Sequence, residues 1–263
     1  MQRLPPFRYA LCAFVPVLIA APPERIMESV VPALTYSRFC SSAVVVQNLA
    51  ETPVTVEIEP HRSSGALVPL AGLTGMTVHL APGQKGSYRL RIEDDDASAW
   101  VKVRERISPP RTAPAVAVSG TAECTVADQL RSAARPVAYP MRNPWFSGDV
   151  SEMRGAVITL INTSPRPARA SACYSAGNLY SVPDKTGRGP DLLPICSSTL
   201  DMQIPPFGSR EFPVEREGTR QFWLKTQGDA IVLEMLRPAG DGVRIFTVDS
   251  NIRFGGEVPE SGR

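Results

Sequence analysis

The sequence predicts an all-β protein whose mature part forms two tandem, related antiparallel β-sandwiches after a signal peptide. Three observations lead to this prediction: short runs of alternating apolar residues, an internal repeat, and a high content of turn-forming residues. The chain has 26 Pro and 19 Gly in 263 residues, and turn-rich β-proteins place these residues at strand ends. The length fits one large domain or two domains of about 100–130 residues each.

The apolar residues follow the two-residue period of strands that bury one face. Turns such as Ala81-Pro82-Gly83 separate the runs, and short strands separated by such turns indicate sandwiches or barrels. No alternation of strands with long helices exists, which argues against a parallel α/β fold. Residues 125–135 are the one plausible short helix and could equally form an extended turn. Strands are expected at 44–46, 54–58, 88–92, 99–103, 115–118, 157–161, 222–225, 231–236 and 243–248.

Several sequence elements occur twice in the same order, which predicts a duplicated domain. A repeat period above about 100 residues indicates two whole domains rather than a solenoid. The tryptophans of the two copies are expected in the sandwich cores. The matched elements are 43–58 with 157–172, Asn48 with Asn162, Pro53 with Pro167, 80–90 with 204–214, and Trp100-Val101-Lys102 with Trp223-Leu224-Lys225.

The offset between the copies grows along the chain, from 114 to about 124 residues, and one loop insertion at 182–196 in the second copy explains this growth. The predicted boundaries follow from the repeat. They are 1–21 for the signal peptide, 35–132 and 153–256 for the two sandwiches, 133–152 for a Pro-rich and aromatic linker, and 257–263 for a flexible tail.

Each copy contains a strand, an Asn-x-x-x-x-Pro turn and a second strand, and in the first copy Leu80-Ala81-Pro82-Gly83 precedes a further strand. This order resembles the immunoglobulin-like domains of exported bacterial proteins. The resemblance covers about half of each copy, and the Cys…Trp…Cys spacing of antibody domains is absent. It implies a fold and says nothing specific about function.

The N-terminus has the features of an export signal. Arg3 and Arg8 precede an apolar run that ends at Ala21. Basic residues followed by roughly 7–15 apolar ones are typical of a signal peptide, whereas a transmembrane helix needs about 20. The mature protein is therefore expected in the periplasm, at the cell surface or outside the cell, without a transmembrane anchor. A buried N-terminal helix or strand is the alternative interpretation.

Four cysteines remain after removal of the signal peptide, and an even number in an exported chain favours disulfides. Three pairings are possible, of which Cys40–Cys124 with Cys173–Cys196 keeps each bridge inside one domain. No two cysteines have C-x-x-C spacing, so the sequence predicts neither a metal site nor a cofactor.

The distribution of charged and reactive residues excludes several functions. The net charge is +2 and no basic block is present, which argues against a nucleic-acid partner. The mature chain has two histidines, His61 and His79, and both are interpreted as exposed strand or turn residues. No nucleophile, zinc-protease or phosphate-binding motif occurs, so no enzyme is predicted. The acidic cluster 93–96 is interpreted as a solvated turn, with calcium binding as the alternative.

The predicted binding residues are aromatic and polar residues in loops, because such side chains dominate binding surfaces when they are exposed. The linker aromatics could instead pack between the domains, and this second interpretation is preferred. The group beside Cys173 could stack on sugar rings or cap a sandwich. The candidates are Tyr139, Arg142, Trp145 and Phe146 in the linker, and Tyr174, Asn178 and Tyr180 beside Cys173.

Together these features favour a non-catalytic exported binding or structural module with a protein or carbohydrate partner. A periplasmic chaperone-like protein for surface-fibre assembly is the alternative, because those proteins resemble this chain in having two immunoglobulin-like domains. Their signature residues have no match here. A carboxylate-dependent hydrolase is the third possibility, since fold alone does not exclude activity.

Overall fold

The computed structural model describes residues 25–36, 40–71, 76–90, 97–107, 111, 113–126, 129–135, 137–182, 191–239, 242–248 and 252–254. Within these ranges the regular structure is β-strand, apart from one 3-10 turn at Val150–Met153. This confirms the predicted all-β class. The predicted signal peptide, the acidic cluster 93–96 and the predicted tail lie outside the described residues. Where the chain is described, none of its helices has the length and apolar character of a membrane span.

The first sandwich contains eight strands in two four-stranded sheets. These strands are β1 (Arg25–Tyr36), β2 (Cys40–Asn48), β3 (Val54–Arg62), β4 (Thr77–Leu80), β5 (Lys85–Arg89), β6 (Ala97–Ile107), β7 (Val116–Val126) and β8 (Gln129–Arg135). One sheet has the order β1-β6-β3-β4 and the other β5-β2-β7-β8. All neighbours are antiparallel.

The second sandwich repeats this strand order. Its strands are β9 (Trp145–Asp149), β10 (Val157–Asn162), β11 (Ala168–Val182), β12 (Asp191–Ile204), β13 (Ser209–Pro213), β14 (Gln221–Gln227), β15 (Ile231–Ala239), β16 (Gly242–Val248) and β17 (Ile252–Phe254). The sheets are β12-β11-β14-β9-β17 and β13-β10-β15-β16. Each strand of the first sandwich thus corresponds to the strand eight places later, and β17 is added in parallel to β9.

Strand pairing departs from the predicted boundaries at two places. β1 begins at Arg25, ahead of the predicted start at residue 35, and pairs with β6. β9 lies in the predicted linker and pairs with β14. The segment 125–135 was predicted to form either a short helix or an extended turn, and this is corrected: its described residues form the end of β7 and the whole of β8. Antiparallel pairing of β7 with β8 supplies the backbone hydrogen bonds there that a helix would otherwise provide.

The second sandwich has one enlarged hairpin, at the place where the repeat predicts an insertion. β3 and β4 have 9 and 4 residues, whereas β11 and β12 have 15 and 14. The paired backbone continues to Val182 opposite Asp191. A bulge near Gly177, whose φ is 99°, interrupts the pairing. The disulfide Cys173–Cys196 joins the two strands.

Each sandwich encloses its own apolar core, because alternate side chains of both sheets point inward. The two cores contain almost entirely aliphatic and aromatic residues. The first includes Val44, Val46, Val56, Ile58, Leu80, Val101 and Val103. The second includes Phe146, Ile158, Leu160, Tyr174, Phe212, Phe222, Leu224 and Leu233.

A fully buried asparagine organises the same turn in both sandwiches. Nδ2 of Asn48 donates to the carbonyl oxygens of Thr52, Leu80 and Ala81 at 2.8, 3.1 and 3.0 Å. Its Oδ1 accepts from the amide of Ala50 at 2.8 Å. The side chain therefore ties the end of β2 to the turn that follows β4.

The second copy repeats these bonds at the matched positions. Nδ2 of Asn162 donates to the carbonyl oxygens of Arg166 and Pro205 at 2.7 and 3.0 Å, and its Oδ1 accepts from the amide of Ser164 at 3.1 Å. The shared asparagine turn and the shared strand order both support the predicted duplication.

Candidate functional site

The outer face of the β1-β6-β3-β4 sheet carries a cluster of charged and aromatic side chains. Val101 and Val103 of β6 belong to the first core, so the intervening residues of this strand project to the opposite face. In the antiparallel register of β3 with β6, a polar or aromatic residue of β3 lies opposite each of these outward-facing residues. The pairs are His61 with Trp100, Glu59 with Lys102, and Glu57 with Arg104.

The turn between β12 and β13 of the second sandwich covers this face. The rings of Phe207 and His61 are stacked with centroids 5.1 Å apart, and His61 is stacked on Trp100 at 4.7 Å. Nε1 of Trp100 donates to the carbonyl oxygen of Phe207 at 3.2 Å. The amide of Ser209 donates to the carbonyl oxygen of Ser63 at 2.9 Å. A stack of three rings therefore crosses the junction between the sandwiches.

Phe207 holds an unfavourable backbone conformation at this junction. Its φ is 53°, and the matched residue of the first copy is Gly83, with a φ of 71°. For a residue with a Cβ atom, this left-handed conformation is less stable by about 1–2 kcal/mol, whereas glycine adopts it with little loss of free energy. The contacts of the Phe207 ring and carbonyl offset this cost, since strained residues persist only where their surroundings hold them.

Apolar packing continues beside the aromatic stack. Residues of both sandwiches and of the connecting segment form a separate buried cluster, and the partly buried Phe207 ring packs against it. Val30 and Ala138 exchange backbone hydrogen bonds of 2.8 Å, as do Met141 and Ile231, so the segment between the sandwiches is fastened to each of them. The members of the cluster are Val30, Trp100, Ala138, Ile161 and Val232.

The charged members of the cluster neutralise one another. Nζ of Lys102 lies 2.8 Å from the carboxylate of Glu59 and 4.5 Å from the centroid of the Phe207 ring. The guanidinium of Arg104 pairs with Glu59 and lies 3.1 Å from Glu57. Burial lowers the pKa of Lys102, and the carboxylates of Glu28 and Glu57 oppose this shift. Each of the two carboxylates on β3 therefore has a cation as its direct partner.

His61 is buried, which corrects the prediction of an exposed turn residue. Its Nδ1 lies 3.1 Å from the carbonyl oxygen of Gly65, and a carbonyl can only accept, so Nδ1 carries the proton. Nε2 has no hydrogen-bond partner and lies 3.7 Å from Glu59. Burial lowers the pKa of His61, the charge of Lys102 acts in the same direction, and the bond to Gly65 opposes both. The ring is therefore neutral at pH 7. His79 is exposed on β4, as predicted, with Nδ1 2.9 Å from the hydroxyl of Thr55.

A cleft of about 650 Å³ opens beside the cluster, between the two sandwiches. Its lining includes Glu59, His61, Lys102, Arg104, Thr163 and Phe207. Among the described residues, none hydrogen-bonds to Nε2 of His61. Among the residues that the structure describes, no three His, Cys, Asp or Glu side chains are grouped around a position for a metal ion. The stacked rings and the ion pairs suit a fixed joint between the sandwiches.

Phe146 and Tyr174, two of the predicted binding residues, are fully buried in the second core. This is a correction, because buried rings are not available to a ligand in solvent. The hydroxyl of Tyr174 donates to the carbonyl oxygen of Pro213 at 2.7 Å, and the guanidinium of Arg216 lies 4.2 Å from the centre of its ring. Burial raises the pKa of Tyr174, so the hydroxyl keeps its proton.

The other predicted binding residues do not form one patch. Tyr139 is exposed beside a pocket of the first sandwich, Arg142 is exposed in the connecting segment, and Asn178 is exposed in the β11 bulge. Trp145 is 36% exposed and lies on β9 opposite Lys225. The side chain of Tyr180 lies outside the described residues.

The two tryptophans that the repeat matches are not in the sandwich cores. Trp100 is buried at the junction, and Trp223 is only half-buried on the outer face of the second sandwich. The reason is strand alternation: Phe222 and Leu224 occupy the core, so Trp223 between them must face outward.

Phe207 was not among the functional residues predicted from the sequence. The repeat itself contains the signal, because Phe207 stands where the first copy has Gly83. A bulky residue at a position that favours glycine indicates a compensating contact.

The structure contains the bridge Cys173–Cys196 that was predicted for the second copy. In the first copy Cys40 is disulfide-bonded, and the backbone register places Cys124 directly opposite it. The pairing Cys40–Cys124 stays a prediction that this register supports.

No protein-family model matches this chain, and no curated protein matches it in sequence. A solved structure with a partial likeness is that of the major pilin subunit of Bacillus cereus, at 10% sequence identity. The alignment covers 88% of this chain and 69% of the pilin, with a TM-score of 0.25. A likeness of this strength is too weak to assign this chain to a family or to a function.

Proposed function

We propose that this chain is a non-catalytic, exported binding module that presents its partner-binding surface on a rigid pair of β-sandwiches. The observation that carries the proposal is the junction cluster, defined as Glu59, His61, Trp100, Lys102, Arg104 and Phe207. Domains joined only by a linker move relative to one another unless a substantial apolar interface holds them. Here a strained residue and a shared buried cluster supply such an interface.

The electrostatics of the cluster favour a structural role over catalysis. A glycosidase-type general acid needs a carboxyl group whose pKa is raised by an apolar environment. Glu59 instead pairs with Lys102 and Arg104, and Glu57 pairs with Arg104. His61 is covered by an aromatic ring on each face. These groups hold the sandwiches together across the junction.

Two features support export. The disulfide Cys173–Cys196 is of a kind that persists in oxidising compartments outside the cytoplasm, and the N-terminal sequence has the pattern of a signal peptide. The partner of an exported module of this kind is a protein or a glycan at or beyond the cell envelope.

The test combines a binding assay with an activity assay. The purified protein is run in native gels containing soluble polysaccharides or envelope proteins, and the same mixtures are assayed for released reducing ends or peptides. We expect retardation without product. A hydrolase would instead release product. If Glu59→Gln abolished that release and the exposed control Glu51→Gln left it unchanged, the carboxylate-dependent hydrolase would replace this proposal.

A further inference from the structure

In the part of the chain that the structure describes, the second sandwich exposes the sheet face that corresponds to the junction face of the first. Its β14 strand directs Phe222 and Leu224 into the core, so Trp223 and Lys225 project outward. In the first sandwich the matched residues Trp100 and Lys102 are covered by the neighbouring domain. In the second sandwich Lys225 and the polar residues around it are exposed.

These polar residues line a groove of about 580 Å³, a volume within the range of roughly 300–1,000 Å³ that ligand sites occupy. The register of β11 with its two neighbouring strands places these residues side by side. Arg169 lies opposite Gln227, and Ser171 lies opposite both Lys225 and Asp201. The groove residues are Arg169, Ser171, Asp201, Gln203, Lys225 and Gln227.

The charges of the groove favour an anionic ligand. Arg169 and Lys225 supply two positive charges against the single negative charge of Asp201. None of these three side chains forms an ion pair with another described residue, whereas Lys102 and Arg104 on the corresponding face are paired with Glu59. Unpaired cations in a concave surface attract carboxylates and bind them with charge-assisted hydrogen bonds.

Two tryptophans lie on the same sheet face as the groove. Trp145 lies directly opposite Lys225 on the neighbouring strand and is 36% exposed, and Trp223 is half-buried on this face. At the junction, the corresponding face of the first sandwich binds a flat six-membered ring, the side chain of Phe207, which lies beside Lys102. Amphipathic tryptophans next to amides and cations suit sugar rings, which have an apolar face and a polar edge.

We propose that this groove binds an acidic polysaccharide, with uronate carboxylates paired to Arg169 and Lys225. Gln203, Gln227 and Ser171 hydrogen-bond to the sugar hydroxyls, and Asp201 accepts from them. The same carboxylate of Asp201 repels an acidic peptide, which has few hydroxyl donors to offer it. This inference rests on the proposed binding function and gives it a ligand class and a site.

The experiment uses the intact protein with polygalacturonate in native gels and a galacturonic acid oligomer in calorimetry. Neutral dextran and poly-aspartate serve as comparison polymers. Polygalacturonate should retard the protein, and the two comparison polymers should not. Arg169→Gln and Lys225→Gln should each weaken binding of the oligomer by roughly tenfold or more, and added salt should weaken it further. Lys85→Gln, an exposed cation on the first sandwich, should bind as the unaltered protein does.

Each other result overturns the inference. Failure to bind polygalacturonate, equal retardation by dextran or poly-aspartate, or full affinity in the Arg169→Gln, Lys225→Gln double variant would reject this groove. Unchanged melting temperatures of the variants exclude misfolding as the cause of lost binding. If polygalacturonate fails but another envelope partner is retained, the groove is rejected and the binding module stands; if every partner fails, both are rejected.

Discussion

The two sandwiches share a backbone plan and differ in what covers the same sheet face. Both have the same strand order and the same buried asparagine turn. In the first, the second sandwich covers Trp100; in the second, the matched Trp223 is only half-buried. The groups that point inward and satisfy the backbone are therefore alike in the two sandwiches, while the outward-facing side chains differ. The difference between these two faces is the best guide to function.

The turns after β4 and β12 show the same divergence on a smaller scale. Gly83 occupies the left-handed region with no atom near the position a Cβ would take, whereas Phe207 occupies it with its ring against the first sandwich. One copy keeps a relaxed turn, and the other uses the same backbone to direct an aromatic ring at its neighbour.

The largest expected effect is a difference in stability between variants of the two matched tryptophans. Trp100→Ala removes a fully buried ring and should lower the free energy of unfolding by about 3–5 kcal/mol. Trp223→Ala removes a half-buried ring and should cost about 1 kcal/mol. Urea unfolding followed by circular dichroism measures both variants. Equal losses would show that the two faces are covered alike.

The next effect compares the two asparagine turns. Asn48→Ala and Asn162→Ala each leave buried backbone groups unsatisfied, so each should destabilise by about 1–3 kcal/mol. Asn48→Ala should cost more, because its Nδ2 donates to three carbonyl oxygens and that of Asn162 to two. Thermal unfolding of both variants tests this order. A negligible loss of stability in either variant would show that this asparagine does not stabilise its turn.

The smallest effect concerns pH and the junction alone. The pKa of His61 in the folded protein lies below its ordinary value of 6.5. Below pH 6.5 the unfolded chain therefore takes up a proton before the folded one does, and stability falls as the pH drops toward the folded pKa. Denaturant midpoints at pH 7 and pH 5 should show this loss.

His61→Phe keeps a ring in the stack and should remove that part of the pH dependence, while the exposed control His79→Phe should retain it. A pH dependence that is unchanged in His61→Phe would show that the junction histidine does not titrate as its burial requires.

Local features of the sequence predicted parts of nine strands and revealed the internal repeat, but they did not predict β1, β8 or β9. Alternating apolar residues define single strands, and Asn48 and Asn162 mark the same turn because each bonds to the backbone two and four residues further on. Strand order was not predictable in this way. Pairing of β1 with β6, for example, joins Arg25 to Ile107, and no local pattern specifies so distant a partner.

The site was predicted less well than the fold, for a physical reason. Phe146 and Tyr174 are aromatic residues beside turn-forming segments, a context that resembles an exposed loop, yet their strands place them in a core. The Trp100–Phe207 contact joins residues 107 positions apart. Sequence periodicity shows which residues share a face of a strand; it does not show which face another domain covers.

The most direct test of the central comparison is hydroxyl-radical footprinting of the intact, unaltered protein, with oxidation of each tryptophan quantified by mass spectrometry. The covered junction predicts that Trp100 is protected while Trp145 and Trp223 are modified several times faster. Equal oxidation of Trp100 and Trp223 would mean that the two sandwiches do not share a closed interface, and would contradict the account.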